Sequence, residues 1–150
     1  MARIHWLWRY ANADGGSPIA KGKIVTNGKA DADGFYRVKQ IRGQRDGVKI
    51  KALLADGTGI PGNVDIITGK PYLGDNKLRP RSLNDDKPQL TGGGIVFSMV
   101  NDTYSNLFYG NYPPNPSYYE FHTVPPYPQG LVPPNSESFI QFDAWISPQS

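Results

Sequence analysis

Apolar residues recur at every second position in several stretches of this chain, and that period constrains the fold more than any other feature. Ile4, Trp6, Trp8 and Tyr10 alternate with His5, Leu7 and Arg9; Ile95, Phe97 and Met99 share one face; Ile140, Phe142, Ala144 and Ile146 alternate with Phe139, Gln141, Asp143 and Trp145. Successive side chains of a strand point to opposite faces, so a period of two puts one row into a core and the other outside it. Nowhere do apolar residues hold the i, i+3, i+4, i+7 spacing of a helix over three turns. Seventeen glycines and fourteen prolines among 150 residues also leave little room for long helices. No segment repeats at a fixed period.

Turn residues divide the pattern into strands. The alternation predicts strands over residues 3–11, 19–26, 35–42, 48–54, 117–124 and 138–146, with a further pair on either side of Asn101-Asp102. Asp46-Gly47 marks the clearest hairpin, because both residue types tolerate the positive φ that a tight strand reversal needs. Residues 55–94 differ. Nine glycines and prolines from Gly57 to Pro88 leave space for at most a short strand at Val64–Thr68, and long irregular connections tend to bind something. The predicted fold is therefore all-β: one domain over residues 1–150, an antiparallel β-sandwich or small β-barrel of about eight strands. The 38% hydrophobic content is enough for a single core at this length.

Several function classes fall away by inspection. With no cysteine, the chain has no disulfide framework, no thiolate metal site and no thiol nucleophile. No run approaches the roughly 18 apolar residues of a membrane-spanning helix. The first ten residues alternate with charge instead of forming the apolar core of an export signal, so none is expected from the chain as given, and the compartment stays open. Phosphate-binding, dinucleotide and nucleophile-elbow motifs are missing as well. No cofactor or metal site is expected: Asp31-Ala-Asp-Gly34 opens like a calcium loop, but Phe35 and Arg42 occupy two of its ligand positions. Asp85-Asp86 reads as a solvated loop.

Charge is unevenly spread. All sixteen Lys and Arg lie within residues 1–90 against nine Asp, whereas residues 91–150 hold only Asp102, Glu120, Glu137 and Asp143. Either the halves attract within one fold or the basic half offers a face to an acidic partner.

Particular blocks have a familiar ring. Asp33-Gly-Phe-Tyr, Ile41-Arg-Gly-Gln-Arg-Asp-Gly-Val48, Gly57-Thr-Gly-Ile-Pro-Gly-Asn63, Asn101-Asp-Thr-Tyr-Ser-Asn-Leu-Phe-Tyr109 and Tyr118-Tyr-Glu-Phe121, with Asp75-Asn-Lys-Leu78 and Pro88-Gln-Leu90 between them, follow one another in order over residues 20–146. In this the chain resembles an uncharacterised β-rich bacterial family, notably cyanobacterial, many of whose members look like exported proteins of the PEP-CTERM type. The resemblance implies a β fold and an exported or cell-envelope setting. It implies no activity and no site. The chain departs from it in ending at Ser147-Pro-Gln-Ser150 without an apolar anchor.

Three surfaces compete for function. Tyrosine and proline mingle after residue 100 and give stiff amphipathic surface, so a glycan or protein is the expected partner, met through Tyr112, Tyr118, Tyr119 and Trp145. This non-catalytic binding or structural role is the preferred reading. The alternative is a nucleic-acid-binding barrel using the basic 37–51 hairpin, with Arg37, Lys39, Lys49 and Lys51 tracking phosphates beside Phe35 and Tyr36. Alternating cations are also the ordinary solvent face of a strand. Last, Glu120-Phe-His122 sets a carboxylate and an imidazole on one face, with Asp143 on another strand, as a small β-barrel enzyme would need. The simpler expectation is that Glu120 and His122 form the solvent row of a half-buried strand.

Overall fold

A computed structural model describes residues 2–82, 87–114, 116–129 and 136–148, with the Ser136 side chain excluded. Asp85-Asp86 and the Pro133-Pro134 pair lie outside the described residues. The described residues form nine strands: β1 (Ile4–Asn12), β2 (Ala20–Thr26), β3 (Tyr36–Arg45), β4 (Val48–Leu53), β5 (Lys77–Leu78), β6 (Ile95–Met99), β7 (Tyr104–Gly110), β8 (Ser117–Thr123) and β9 (Ser136–Ile146). Among the described residues there is no helix.

Every pairing is antiparallel. The order β2-β1-β9-β8-β7-β6-β4-β3 returns to its start because β3 also pairs with β2, so eight strands close into a barrel, and β5 adds to β3 as a ninth. The sandwich alternative is thereby removed. Barrel neighbours are also neighbours in sequence except for β1 and β9, which run side by side from Trp6↔Ile146 to Asn12↔Ile140. Closure leaves neither β2 nor β3 as a free outer edge, although β3 and β4 are not paired along their whole length.

The alternating rows fill the barrel as the period predicts. Trp6, Trp8 and Tyr10 of β1 meet Ile24, Ile41, Ile50, Phe97, Leu107, Ile140 and Phe142 in one buried cluster. Ile146, expected in the same inward row, is exposed at the end of β9. Two glycines face each other across β2 and β3, Gly22↔Gly43, and let the two backbones come close. A Cβ on Gly22 would stand 1.9 Å from the Arg42 carbonyl oxygen, and Gly43 has φ +140°, a conformation that favours glycine. The Trp8 indole N–H donates to the Arg42 carbonyl at 3.3 Å over this bare strip.

The β3–β4 hairpin turns at Asp46 (φ 50°) and Gly47 (φ 80°), and Asp102 (φ 63°) turns β6 into β7, as the sequence predicts. The 55–94 connection departs from expectation. Val64 makes only an isolated bridge to Pro71, and the strand in this region is β5, at Lys77–Leu78. Leu54 and Ile60 cover Val96, Phe108, Tyr119 and Phe121 on the outer wall as a second core, so β6 is buried on both faces. Farther along, Leu78 and Leu90 join the main core, and Gln89 donates to the Ala144 carbonyl (2.8 Å) and accepts from the Ala144 N–H, closing one end of the barrel. A segment with few strand signals is thus mostly covering layer.

The two electrically unlike halves meet within the fold. Arg45 pairs with Glu120 and Arg81 with Asp143, each joining the basic part of the chain to the acidic part. The Asp31 loop is a side-chain-stabilised turn: its carboxylate accepts from the N–H groups of Asp33 and Phe35 and holds Lys77.

Candidate functional site

The sequence-predicted residues fall on three separate surfaces. Glu120 and His122 stand on the inner face of β8, with Phe121 between them on the outer wall, which reverses the expectation of a solvent row. Glu120 is only 2% exposed. The outer wall over β8 is itself covered by the 55–74 layer, so polarity did not reveal which row faces inward.

Around Glu120 the barrel is polar. Arg45, at the end of β3, donates from Nε and Nη2 to the two carboxylate oxygens, each at 2.7 Å. The Tyr10 hydroxyl donates to Oε2, and Ser105 Oγ lies 2.9 Å from the same oxygen and 2.8 Å from His122 Nδ1. An ionised carboxylate only accepts, so the single Ser105 proton goes to Glu120, and His122 is assigned the tautomer that donates from Nδ1. Burial alone would raise the Glu120 carboxyl, but the Arg45 hydrogen bonds and charge outweigh it and hold the group below the usual carboxylate value. Burial, then the Glu120 charge, pushes the Tyr10 hydroxyl well up. Burial, then the Arg45 charge, holds His122 below the ordinary histidine value, hence neutral at pH 7. The four hydrogen bonds to Glu120 divide unevenly: Oε2 takes Arg45 Nε, Tyr10 and Ser105, and Oε1 takes Arg45 Nη2. Asp143 is not part of this group: it lies on the outer row of β9, 3.1 Å from Arg81.

The basic residues lie on the seam between β3 and β4. Ladder pairing there is limited to Gln44↔Lys49 and Arg45↔Val48. At the start of β3, Tyr36 and Arg37 pair with β5 instead, and the Val38 N–H donates to Asn76. Residues 39–43 therefore have no ladder partner on this side. A cleft of about 490 Å³ opens along them, lined by Lys39, Arg42, Lys49 and Lys51 with Gln40 and Ile41. Among the described residues, Lys39, Lys49 and Lys51 make no ion pair. Arg37 does: it holds Asp56 at 2.9 Å and leaves the patch. The aromatic neighbours expected to stack on bases are occupied, Tyr36 against Trp6 (ring centroids 5.9 Å apart) and Phe35 under Arg79 (4.4 Å).

The Tyr and Trp residues do not form one platform. Tyr118 points inward, its ring 5.6 Å from Phe142 and its hydroxyl accepting from the Gln89 N–H. Trp145 lies on the outer wall with Arg9 above it, beside Leu7 and Lys23. Tyr112 and Tyr119 do meet, with centroids 5.3 Å apart, and Tyr119 also stacks on Phe108 and contacts Phe139. Two neighbours escaped the sequence reading. Tyr72, from the covering layer, and Glu137, at the start of β9, line the same small cleft as Tyr112. Glu137 was legible only as one of four acids in the second half. No family model, curated protein or solved structure matches the chain.

Proposed function

We propose that this protein is a non-catalytic binding domain that holds an acidic glycan in the cleft between β3 and β4. The observation that carries the reading is the stretch of β3 without a β4 ladder partner, residues 39–43, flanked by three lysines in a cleft whose described lining holds no acidic side chain. Uncompensated like charges along a groove lower the stability of the free protein and are relieved by an anionic ligand. A binding role also fits the interior: the Glu120 carboxylate is buried and held by Arg45, Tyr10 and Ser105 as part of the barrel's own packing. Stacked nucleobases fit the cleft less well than acidic sugars, because no aromatic side chain lines it. The resemblance to exported proteins, with the envelope setting it implies, agrees with a polysaccharide partner.

The test is binding of polygalacturonate, with neutral dextran and a single-stranded oligonucleotide as competitors, at 50 and 200 mM salt. Acidic glycan affinity is expected to fall on the order of tenfold across that range, as cation-driven polyanion binding does. The Lys39→Ala, Lys49→Ala, Lys51→Ala triple variant should lose it. Equal binding of dextran, or an unaffected triple variant, refutes the proposal. Preference for the oligonucleotide through the same lysines replaces it with the nucleic-acid reading.

A further inference from the structure

A second site lies on another part of the outer wall and goes beyond the acidic-glycan reading. The rows Asn106↔Phe121↔Glu137 and Phe108↔Tyr119↔Phe139 run side by side across β7, β8 and β9. Tyr72 reaches over from the covering layer and Tyr112 folds back from the β7–β8 turn. That fold-back is built into the chain, because a Cβ on Gly110 would meet the Tyr112 ring at 2.5 Å and the Tyr119 ring at 2.7 Å. Between them is a cleft of about 30 Å³ whose rim includes Tyr72 (52% exposed) and Tyr112 (49% exposed).

The only charged side chain in the described lining of this cleft is a carboxylate, which favours a cation. Glu137 is half-buried, and among the described residues no hydrogen bond or ion pair holds its carboxylate. Burial pushes the Glu137 carboxyl above its usual value; burial also raises the Tyr72 and Tyr112 hydroxyls, and the Glu137 charge adds to that. Asn63 spends its amide N–H on Asn106 at 3.0 Å, leaving its side-chain oxygen as an acceptor. No Lys or Arg lines the space. Aromatic faces around a desolvated carboxylate attract ammonium groups through the ring quadrupole and the full charge together. The volume limits the size: it is of the order of a water or two, which admits a primary ammonium head but not a quaternary one or a sugar ring.

We infer that the Tyr72–Tyr112–Glu137 cleft binds the primary ammonium group of an alkylamine, its carbon stem leaving between the two tyrosine rings. Such a group occurs on lysine side chains and on amino sugars. The experiment is a titration of the whole protein followed by amide NMR at Gly92 and the Asn63 side chain. The probes are n-butylammonium, n-butanol, tetramethylammonium, glucosamine and glucose. Butylammonium should give saturable shifts, and butanol and tetramethylammonium at least tenfold weaker ones. Glu137→Gln should lose at least tenfold in affinity, and Tyr112→Leu several-fold, with the remaining spectrum unchanged as proof of folding. Glucosamine binding without glucose binding assigns the source to an amino sugar; no glucosamine binding assigns it to a lysine-like amine. Butanol or tetramethylammonium matching butylammonium, or full affinity in Glu137→Gln, overturns the inference. The β3–β4 lysines are untouched in these variants, so loss here leaves the acidic-glycan test intact.

Discussion

Replacing Glu120 by Gln tests whether the polar group inside the barrel holds the fold together. The substitution keeps the shape and removes the charge that faces Arg45, whose side chain is only 18% exposed. Two charge-assisted hydrogen bonds of about 1.5–3 kcal/mol each are weakened, and the guanidinium stays buried without a counter-charge. The remaining amide oxygen still accepts from Tyr10 or Ser105, and the partial exposure of Arg45 returns some solvation. The expected cost at pH 7 is therefore about 3 kcal/mol. Arg45→Met should cost a similar amount, by leaving the carboxylate alone. The double variant should cost clearly less than the sum, with a coupling of at least about 2 kcal/mol, because neither charge is then left over. Urea unfolding followed by fluorescence of the buried Trp6 and Trp8 measures all four proteins. The pH dependence has a definite sign. Glu120 has a folded value below its unfolded one, so its contribution is present above about pH 4.5 and is lost as pH falls through the folded value. His122 is also depressed, so its contribution is present above about pH 6.5 and is lost on acidification. Wild type should therefore weaken steadily towards acid, and Glu120→Gln should show less of that slope. Additive single effects below about 1 kcal/mol, or an acid slope unchanged by Glu120→Gln, would refute this account of the network.

Two further outcomes follow from local geometry. Gly22→Ala drives a Cβ into the backbone of the partner strand, which cannot yield as a side chain would, so thermal unfolding should show a loss of about 3 kcal/mol or more; a loss below about 1 kcal/mol would mean that the close β2–β3 approach is not required. Glu137→Gln should stabilise the protein at pH 7 by a few tenths, about 0.5 kcal/mol at most, while abolishing ammonium binding. A half-buried, unpaired carboxylate with a raised folded value disfavours the native state once pH rises through that value, and destabilisation by the variant would show that Glu137 is paired.

The three surfaces were unequally legible. Arg37, Lys39, Lys49 and Lys51 stood out because they crowd one hairpin, yet nothing in the pattern told that Asp56 captures Arg37 while the lysines find no ion-pair partner among the described residues. The interior network was hidden for a different reason: Glu120 and His122 have the polarity of a solvent row, and only the partners from β1, β3 and β7 make that row affordable inside. Tyr112 and Tyr119 were singled out together and do meet, whereas Tyr118, next in the chain to Tyr119, necessarily faces the other way.

By itself the sequence determined the eight barrel strands and the tight turns, though not the short β5, since a period of two and residues that accept positive φ are local properties of neighbouring side chains. Tertiary structure decided which edges meet. Alternation is the same in a sandwich and a barrel, and closure depends on β1 finding β9 across more than a hundred residues and on Gly22 passing close to Gly43. Whether a polar residue is buried or solvated, and whether a charge is spent or available, depends on what the rest of the chain brings to it, and no local pattern records that.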